Sequence, residues 1–398
     1  MQGMSLAPKL SFIVLSYNYA DMIDQTIRSI LDQTVQDFEI IVVDDASTDP
    51  SCSVVRSFAD PRIRLLVNER NLGGAGSYNR AVQAARGDYL VNLDADDWIT
   101  PDKCERQLSF LSQNPVAVLG SYVNFVDREG RPASRAELEA VVNAQFDLNA
   151  VDSWIGQNRL VRSSTIVERA AHLAVGLDDP SMVRAPDYEL WTRFLRAGHR
   201  FAVLPERLVY YRTHPGGVTH ADPLGTFLEM SYAALRNLLP AIEEFALWPS
   251  LSRISDEWIS HSMFPMLRPV ERYRLLGMLV IDVPVADFAA FRGAIGGGSD
   301  EDAGLVRAGR RLFALSTRTT NIEQKLQADI VAYIEARDFW YETSQNWEAA
   351  ARDAATQAAA ATKAAAAAEA AAMAQTAHVP GRIRTIMRTL GRLQRFSP

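Results

Sequence analysis

The feature that most limits what this chain can fold into is an alternation near its start, where short and almost unbroken apolar runs take turns with helical patterns. The runs are Leu10–Ser16, Phe38–Val43, Ile63–Val67 and Tyr89–Leu93, each rich in Val, Ile and Leu and bounded by turn residues. Between them, Met22–Leu31 gathers Met22, Ile23, Thr26, Ile27, Ile30 and Leu31 on one helical face, and Ala75–Ala85 forms a second helical stretch. Strands apolar on both faces and joined by helices imply an α/β fold with a mainly parallel central sheet covered on both sides. Ligands of such sheets bind at the carboxyl ends of the strands. Two acidic clusters stand there: Asp44-Asp45 after the second run and Asp94-Ala95-Asp96-Asp97 after the fourth.

The remainder of the chain divides by composition. Val151 to about Thr219 mixes helix and strand, with a helix over Leu190–Ala197, an αL stop at Gly198 and a strand over Phe201–Leu204. From Leu224 to about Arg318 the pattern reads as helices broken by Pro240, Pro249, Pro265, Pro269 and Pro284. Beyond Ile322, Leu326, Ile330, Tyr333, Arg337, Trp340, Ser344 and Trp347 recur at spacings of three and four, a heptad seam interrupted at Arg337 and Ser344. An alanine-rich stretch to about Ala377 continues it as a long helix. After Pro380, five arginines and no acid flank an apolar stripe of Ile383, Ile386, Met387, Leu390, Leu393 and Phe396. That composition suits an interfacial membrane helix, and it also suits docking on this protein or on a partner copy.

The 398 residues hold 48% hydrophobic and 22% charged side chains, ordinary values for a folded chain with more than one core. No apolar run reaches the roughly 18 residues that a bilayer span requires, and Leu10–Leu15 reads as a strand rather than a signal peptide, so a cytoplasmic protein is expected. The net charge of −7 argues against nucleic acid as a partner. Cys52 and Cys104, far apart in sequence, give no basis for a disulfide or a zinc site.

Three carboxylates within four residues at a strand end repel one another unless a cation neutralises them. Hard oxygen ligands of this kind suit Mg²⁺ or Mn²⁺, with positions left open for a diphosphate. A solvated acidic turn capping the helix after Pro101-Asp102 is the plainer alternative.

Several motifs follow one another in order: Phe12-Ile-Val-Leu-Ser-Tyr-Asn18, Ser29-Ile-Leu-Asp-Gln-Thr34, Glu39-Ile-Ile-Val-Val-Asp-Asp-Ala-Ser-Thr-Asp49, Asn71-Leu-Gly73, Gly87-Asp-Tyr-Leu and Leu93-Asp-Ala-Asp-Asp97. Together they resemble the amino-terminal half of the inverting family 2 glycosyltransferases, whose fold is the nucleotide-sugar-binding GT-A fold. The resemblance covers about Ser11 to Thr219. It implies that Asp94 and Asp96 hold the metal and the donor's ribose and diphosphate, with Asp97 as a further participant. It also implies that Asp45 contacts a uracil base flanked by Ser16 and Tyr17, and that Asn79 belongs to the donor site. Chemically, an Asp can accept a pyrimidine N–H and a Tyr ring can stack on the base, although a turn-capping Asp45 and a core Tyr17 would look the same in sequence. Where many relatives have Arg before that Asn, this chain has Tyr78, which leaves a cationic diphosphate contact absent or supplied elsewhere, with Arg80 as a candidate.

A second part of the resemblance lies at Ala185-Pro-Asp-Tyr-Glu-Leu-Trp191, Gly198-His-Arg-Phe and Tyr210-Tyr-Arg-Thr-His214. It implies that Asp187 is the general base, standing alone where relatives carry a Glu-Asp pair; an N-cap of the following helix is the other role open to it. Inverting transfer needs one carboxylate to take the acceptor's hydroxyl proton while a metal stabilises the leaving diphosphate. By the same resemblance Arg212 belongs to the donor site, and His214 touches phosphate or completes the metal shell unless it is an ordinary surface histidine. Trp154 and Trp191 suit either an acceptor pocket or the core.

The expected protein is thus a metal-dependent inverting glycosyltransferase. Its donor is a nucleoside diphosphate sugar, a UDP-sugar first, and its acceptor a hydroxyl of a glycan, lipid-linked carrier or protein. The expected domains are a GT-A domain over residues 1–220 (donor half 1–127, acceptor half 128–220), a helical domain over 221–320, a long helix over 321–378 that makes a homo-oligomer, and a basic helix over 379–398 that meets an anionic membrane. A catalytically degenerate GT-A scaffold is the rival reading.

Overall fold

A computed structural model describes residues 7–213, 222–243, 247–297 and 303–316. The heptad seam, the alanine-rich helix, the basic helix and His214 lie outside the described residues. Contacts divide the chain into two units that meet in sequence between Ala233 and Ala234.

The first unit is built on four strands that match the apolar runs, β1 (Leu10–Ser16), β2 (Phe38–Asp44), β3 (Ile63–Val67) and β4 (Tyr89–Asp94). They pair in parallel in the order β3-β2-β1-β4. The helices between them are α1 (Ile23–Leu31), α2 (Ser51–Arg56) and α3 (Gly73–Ala84). Ile23, Ile27 and Ile30 of α1 pack with Phe12, Val14, Ile40, Val42, Val91 and Leu93 on one face, and Ile13, Ile41, Val43 and Leu90 are buried on the other, so these strands are apolar on both.

The sheet is more mixed than its first strands imply. It continues through β7 (Ile166–Glu168), β6 (Val118–Val126), β8 (Phe201–Arg212) and the two-residue β5 (Trp98–Ile99), eight strands in all. The three-residue β7 runs antiparallel to both β4 and β6, so parallel pairing stops at β4 and resumes only between β6 and β8. The strand expected at Phe201–Leu204 extends to Arg212, straight through Pro205. The register against β6 shifts there, from Leu204 opposite Ser121 to Arg207 opposite Tyr122. An irregularity of this kind is where a strand tolerates a residue that has no N–H to donate.

Two polar contacts hold the opposite, amino-terminal edge of the sheet. The buried Glu39 carboxylate accepts from Ser11 Oγ, the Arg86 backbone and guanidinium, and Arg64. Burial alone would push its pKa up, but these donors outweigh burial and hold it below the usual range. Gly87 donates its N–H to Ser11 Oγ at 2.8 Å, and a Cβ there would lie 2.6 Å from the Ser11 nitrogen, so the turn into β4 admits only glycine.

Four further helices complete this unit around the site, α4 (Lys103–Gln113), α5 (Ala136–Val142), α6 (Arg169–Val175) and α7 (Pro186–Arg196), followed by α8 (Pro223–Ala233). In α7 the N-cap is Ala185 and Pro186 opens the helix, so Asp187 sits in the first turn rather than at the cap.

The second unit is helical over its described residues, with helices at Leu247–Ser260, Pro269–Gly277, Phe288–Gly296 and Ala303–Ser316. Prolines start these elements more than they break them. Pro269 follows Arg268, which forms a capping box with Glu271. A Cβ on Gly309 would meet the Tyr273 carbonyl, and one on Gly277 the Leu305 carbonyl, so two glycines let the second and fourth of these helices cross in backbone contact.

Candidate active site

The strand register brings the acidic clusters together. Ser16 pairs with Asp44 on one side of β1, and Leu15 pairs with Asp94 on the other. All three strands therefore deliver their carboxyl ends to one edge.

The turn after β4 is clamped from several directions. The Thr26 hydroxyl of α1 lies 2.8 Å from the carbonyls of both Ala95 and Asp97. Asp97 points inward, its Oδ2 accepting from Ser163 Oγ at 2.6 Å and its Oδ1 from the Arg212 backbone at 2.8 Å, so it serves the turn. The Ser163 hydroxyl also accepts the Asp94 N–H at 3.1 Å. Burial, followed by the charge of Asp96, pushes the Asp94 pKa up to about 6, and the same two causes raise Asp97 well above the carboxylate range. Tyr19, its pKa raised by burial and then by Asp96, lies beside the turn.

Arg212, assigned to the donor from sequence, is placed differently. Its Nε donates to the Asp96 carbonyl at 2.7 Å, Nη2 to Gln25 Oε1 at 2.8 Å and Nη1 to the Arg128 carbonyl. The guanidinium also lies 4.9 Å from the centre of the Trp98 ring, and only 7% of the residue is exposed. These partners make it a brace for the acidic turn.

Asp45 begins the loop after β2 and is held as firmly. Its Oδ1 accepts from Asn68 Nδ2 and the Leu72 N–H, both at 2.7 Å, and its Oδ2 from the Gly73 N–H at 2.9 Å. A carboxylate offers about four acceptor sites, so one remains, on Oδ2. Around it stand three exposed apolar residues at the ends of neighbouring elements: Tyr17 (47% exposed), Val67 and Leu72. Tyr17 is thus no core aromatic. Ser16 is buried, and its hydroxyl has no hydrogen-bond partner among the described residues. Asn18 and Ala46, just past β1 and β2, take the left-handed conformation at φ 60° and 64°. Such strain gathers at working sites and persists only where neighbours fix it. Here Asn18 Oδ1 accepts the Thr48 N–H at 2.8 Å, tying the two loops together.

In the first turn of α7, Asp187 Oδ2 accepts from Asn158 Nδ2 at 2.9 Å. Burial raises its pKa, against the charge of Arg162 and the Asn158 hydrogen bond, which lower it. The backbone before α7 is shaped by Glu229 of α8, whose buried carboxylate accepts the N–H groups of Val183, Arg184 and Ala185 at 2.8, 2.7 and 2.7 Å. Asn79, assigned to the donor, exchanges two hydrogen bonds of 2.8 Å with the Asp178 backbone and so ties α3 to the loop leading to α7. Trp154 and Trp191 are fully buried and belong to the core. Sequence reasoning missed Asn158, Arg162, Ser163 and Glu229, since each acts through a partner distant in sequence.

Among the described residues no three Asp, Glu, His or Cys side chains converge as a ready cation cage. Asp94 and Asp96 supply two hard oxygens, and the charge of Asp96 adds to burial in raising the Asp94 pKa. That donor set fits a divalent cation whose other ligands come from substrate and water.

The model of "Glycosyl transferase family 2" matches residues 11–164. The succinoglycan biosynthesis protein ExoO of Rhizobium meliloti is 31% identical over 244 residues, covering 58% of this chain and 68% of that one. WfaP of Escherichia coli, a UDP-Glc:alpha-D-GlcNAc-diphosphoundecaprenol beta-1,3-glucosyltransferase, is 28% identical over 214 residues, covering 53% and 79%. Among solved structures, the mannosyltransferase PcManGT of Pyrobaculum calidifontis, in complex with GDP-Man and Mn²⁺, superposes with a TM-score of 0.50 at 19% identity, over 85% of this chain and 89% of that one. At that identity the likeness speaks for the fold alone. The ordered strand-end motifs, the α/β sheet that carries them and these matches agree: the chain belongs to glycosyl transferase family 2 and is a glycosyltransferase.

Proposed function

We propose that the protein transfers a sugar from a nucleoside diphosphate donor, a UDP-sugar in the simplest case, to a hydroxyl of a lipid-linked or other glycan, with inversion at the anomeric carbon. The observation that supports this reading is that Asp187, at the start of α7, lies close enough to the end of β4 for its charge to add to the effect of burial and of Asp96 on the Asp94 carboxyl. Asp187 would take the acceptor's proton as its oxygen attacks. Ser16, Tyr17 and Asp45 would receive the nucleobase, the free site on Asp45 Oδ2 accepting its N–H. Asp94 and Asp96 would hold Mn²⁺ or Mg²⁺, with His214 as a further ligand. The ion, when bound, neutralises charge gathering on the departing diphosphate. The donor and acceptor named for WfaP and the Mn²⁺ of PcManGT support these choices.

Thermal melts with UDP or GDP, with and without Mn²⁺, test the reading. The wild type is expected to gain stability from a nucleotide only when Mn²⁺ is present, and Asp94→Asn to lose that gain. Asp94 ionises in the fold near pH 6 but near the ordinary carboxylate value when unfolded, so above pH 6 its charge opposes folding. Metal-free Asp94→Asn at pH 7.5 should therefore be more stable than the wild type. A nucleotide shift that ignores Mn²⁺ and persists in the variant would remove the metal from the site.

Residues 1–220 would form the catalytic domain and 221–320 a helical domain, while 321–378 would join copies of the chain and the basic 379–398 segment would hold it on an anionic membrane. No described helix is long and apolar enough to cross a bilayer. Flotation with phosphatidylserine vesicles should be lost when residues 380–398 are removed; equal flotation of the truncated protein defeats the membrane role.

A further inference from the structure

Arg162 opens a single 3₁₀ turn, Arg162–Ser164, that runs into β7. The next residue, Ser163, touches both Asp94 and Asp97, so Arg162 stands at the rim of the acidic turn. Its side chain is 10% exposed. Nη2 donates to Asp178 Oδ2 at 2.9 Å, and the guanidinium carbon lies 4.2 Å from the centre of the Tyr78 ring. Asp178 and Tyr78 are themselves buried, so the cation is gripped at one edge and one face. The other N–H groups have no hydrogen-bond partner among the described residues. The charge reaches both halves of the cleft, since it opposes the raised pKa of Asp94 and of Asp187.

The other cations near these elements are already committed. Arg80 donates to the Val67 carbonyl and to Asn68 Oδ1, at the end of β3, and Arg212 is spent on the turn itself. A guanidinium fixed by Asp178 and Tyr78, with N–H groups left over beside the acidic turn, has the geometry to receive a multivalent anion. We propose that Arg162 binds the diphosphate of the donor, its free N–H edge donating to a non-bridging phosphate oxygen while Asp178 and Tyr78 hold the guanidinium in place. This assignment rests on the donor being a nucleoside diphosphate sugar. It supplies, from the turn before β7, the cation that Tyr78 cannot offer from α3.

Calorimetric titration with UDP, GDP, dTDP and CDP in Mn²⁺ identifies the diphosphate that the wild type binds most tightly; that diphosphate, its free nucleoside and inorganic pyrophosphate are then titrated into the variants. Arg162→Met alone would leave Asp178 buried without its cation, so Arg162→Met/Asp178→Asn carries the test beside Arg162→Lys, with melting curves confirming folding. The double variant should lose roughly 10- to 100-fold in affinity for the nucleoside diphosphate and for pyrophosphate, and nothing for the nucleoside. Arg162→Lys, which keeps charge without the planar fork, should lose less. Diphosphate affinity within twofold of wild type in the double variant overturns the assignment, as does an equal loss for the nucleoside, which would make Arg162 a purely structural residue. If the wild type binds no nucleoside diphosphate at all, the donor reading fails and this assignment falls with it.

Discussion

Asp187→Asn is expected to cut turnover by about a hundred- to ten-thousandfold, the usual contribution of a positioned general base, while leaving nucleotide binding intact. The substitution is nearly isosteric, and the amide oxygen of asparagine can still accept from Asn158 Nδ2, which lies 2.9 Å from the native carboxylate. What is lost is the basic lone pair. Burial holds the Asp187 pKa above the ordinary carboxylate value despite Arg162 and Asn158. Activity should therefore fall as pH drops through that raised value, at a higher pH than an exposed aspartate would give. The same shift fixes the sign of the stability change. Above the folded-state pKa the ionised carboxylate opposes folding, so the variant should be no less stable than the wild type at neutral pH, and slightly more so. Initial rates across pH together with melting curves check both parts, and a loss smaller than tenfold in a folded variant would move the base elsewhere.

The second large effect is expected at Glu229, which makes no contact with Asp187 yet fixes the chain that presents it. Three consecutive N–H groups, those of Val183, Arg184 and Ala185, converge on its carboxylate immediately before α7. Alanine would leave these donors without an acceptor, and a lost acceptor for one buried donor costs about 1–3 kcal/mol. With partial rescue by water, a total of about 3 kcal/mol follows for Glu229→Ala. Glu229→Gln keeps one acceptor oxygen and should cost less. Both should lower kcat at least about tenfold, because a misplacement near 1 Å at a reacting group is worth up to a hundredfold. Nucleotide affinity should stay unchanged, as β1, β2 and β4 are untouched. Urea melts separate the stability loss from the kinetic one, and unchanged kcat in folded Glu229→Gln would reduce Glu229 to a fold-stabilising contact.

What could be read from sequence follows from how far apart the interacting residues are. The first four strands were legible to within a residue because both faces of β1, β2 and β4 are buried, which forces unbroken apolar runs. The acidic turn was legible because crowded carboxylates need a reason. β7 is three residues long and leaves no periodic trace, and β6 carries Ser121, Tyr122 and Asn124 among its apolar residues. Arg212 shows the limit of residue type as a guide. The resemblance suggests a donor contact, yet here the Arg212 guanidinium donates to the Asp96 and Arg128 carbonyls and to Gln25 Oε1. Glu229 and Asn158 carry no local signal, for each matters only through backbone or side chains met after folding.

The strand order also bears on how this protein comes into being. β5 follows the acidic turn directly, but among the described residues it pairs with Val209 and Tyr210 of β8, beside the Arg212 brace. The sheet is likewise bridged from β4 to β6 only by β7. A chain emerging from the ribosome has both strand-end acidic clusters in hand long before the strand that sets the second of them arrives. Synthesis must pass Arg212 before the acidic turn can take its final shape, and until β7 is made β4 presents an open edge to neighbouring chains. Pairings this distant in sequence slow folding. The nascent enzyme is therefore expected to stay unable to engage donor, and dependent on protection from aggregation, until nearly the whole first unit has been made.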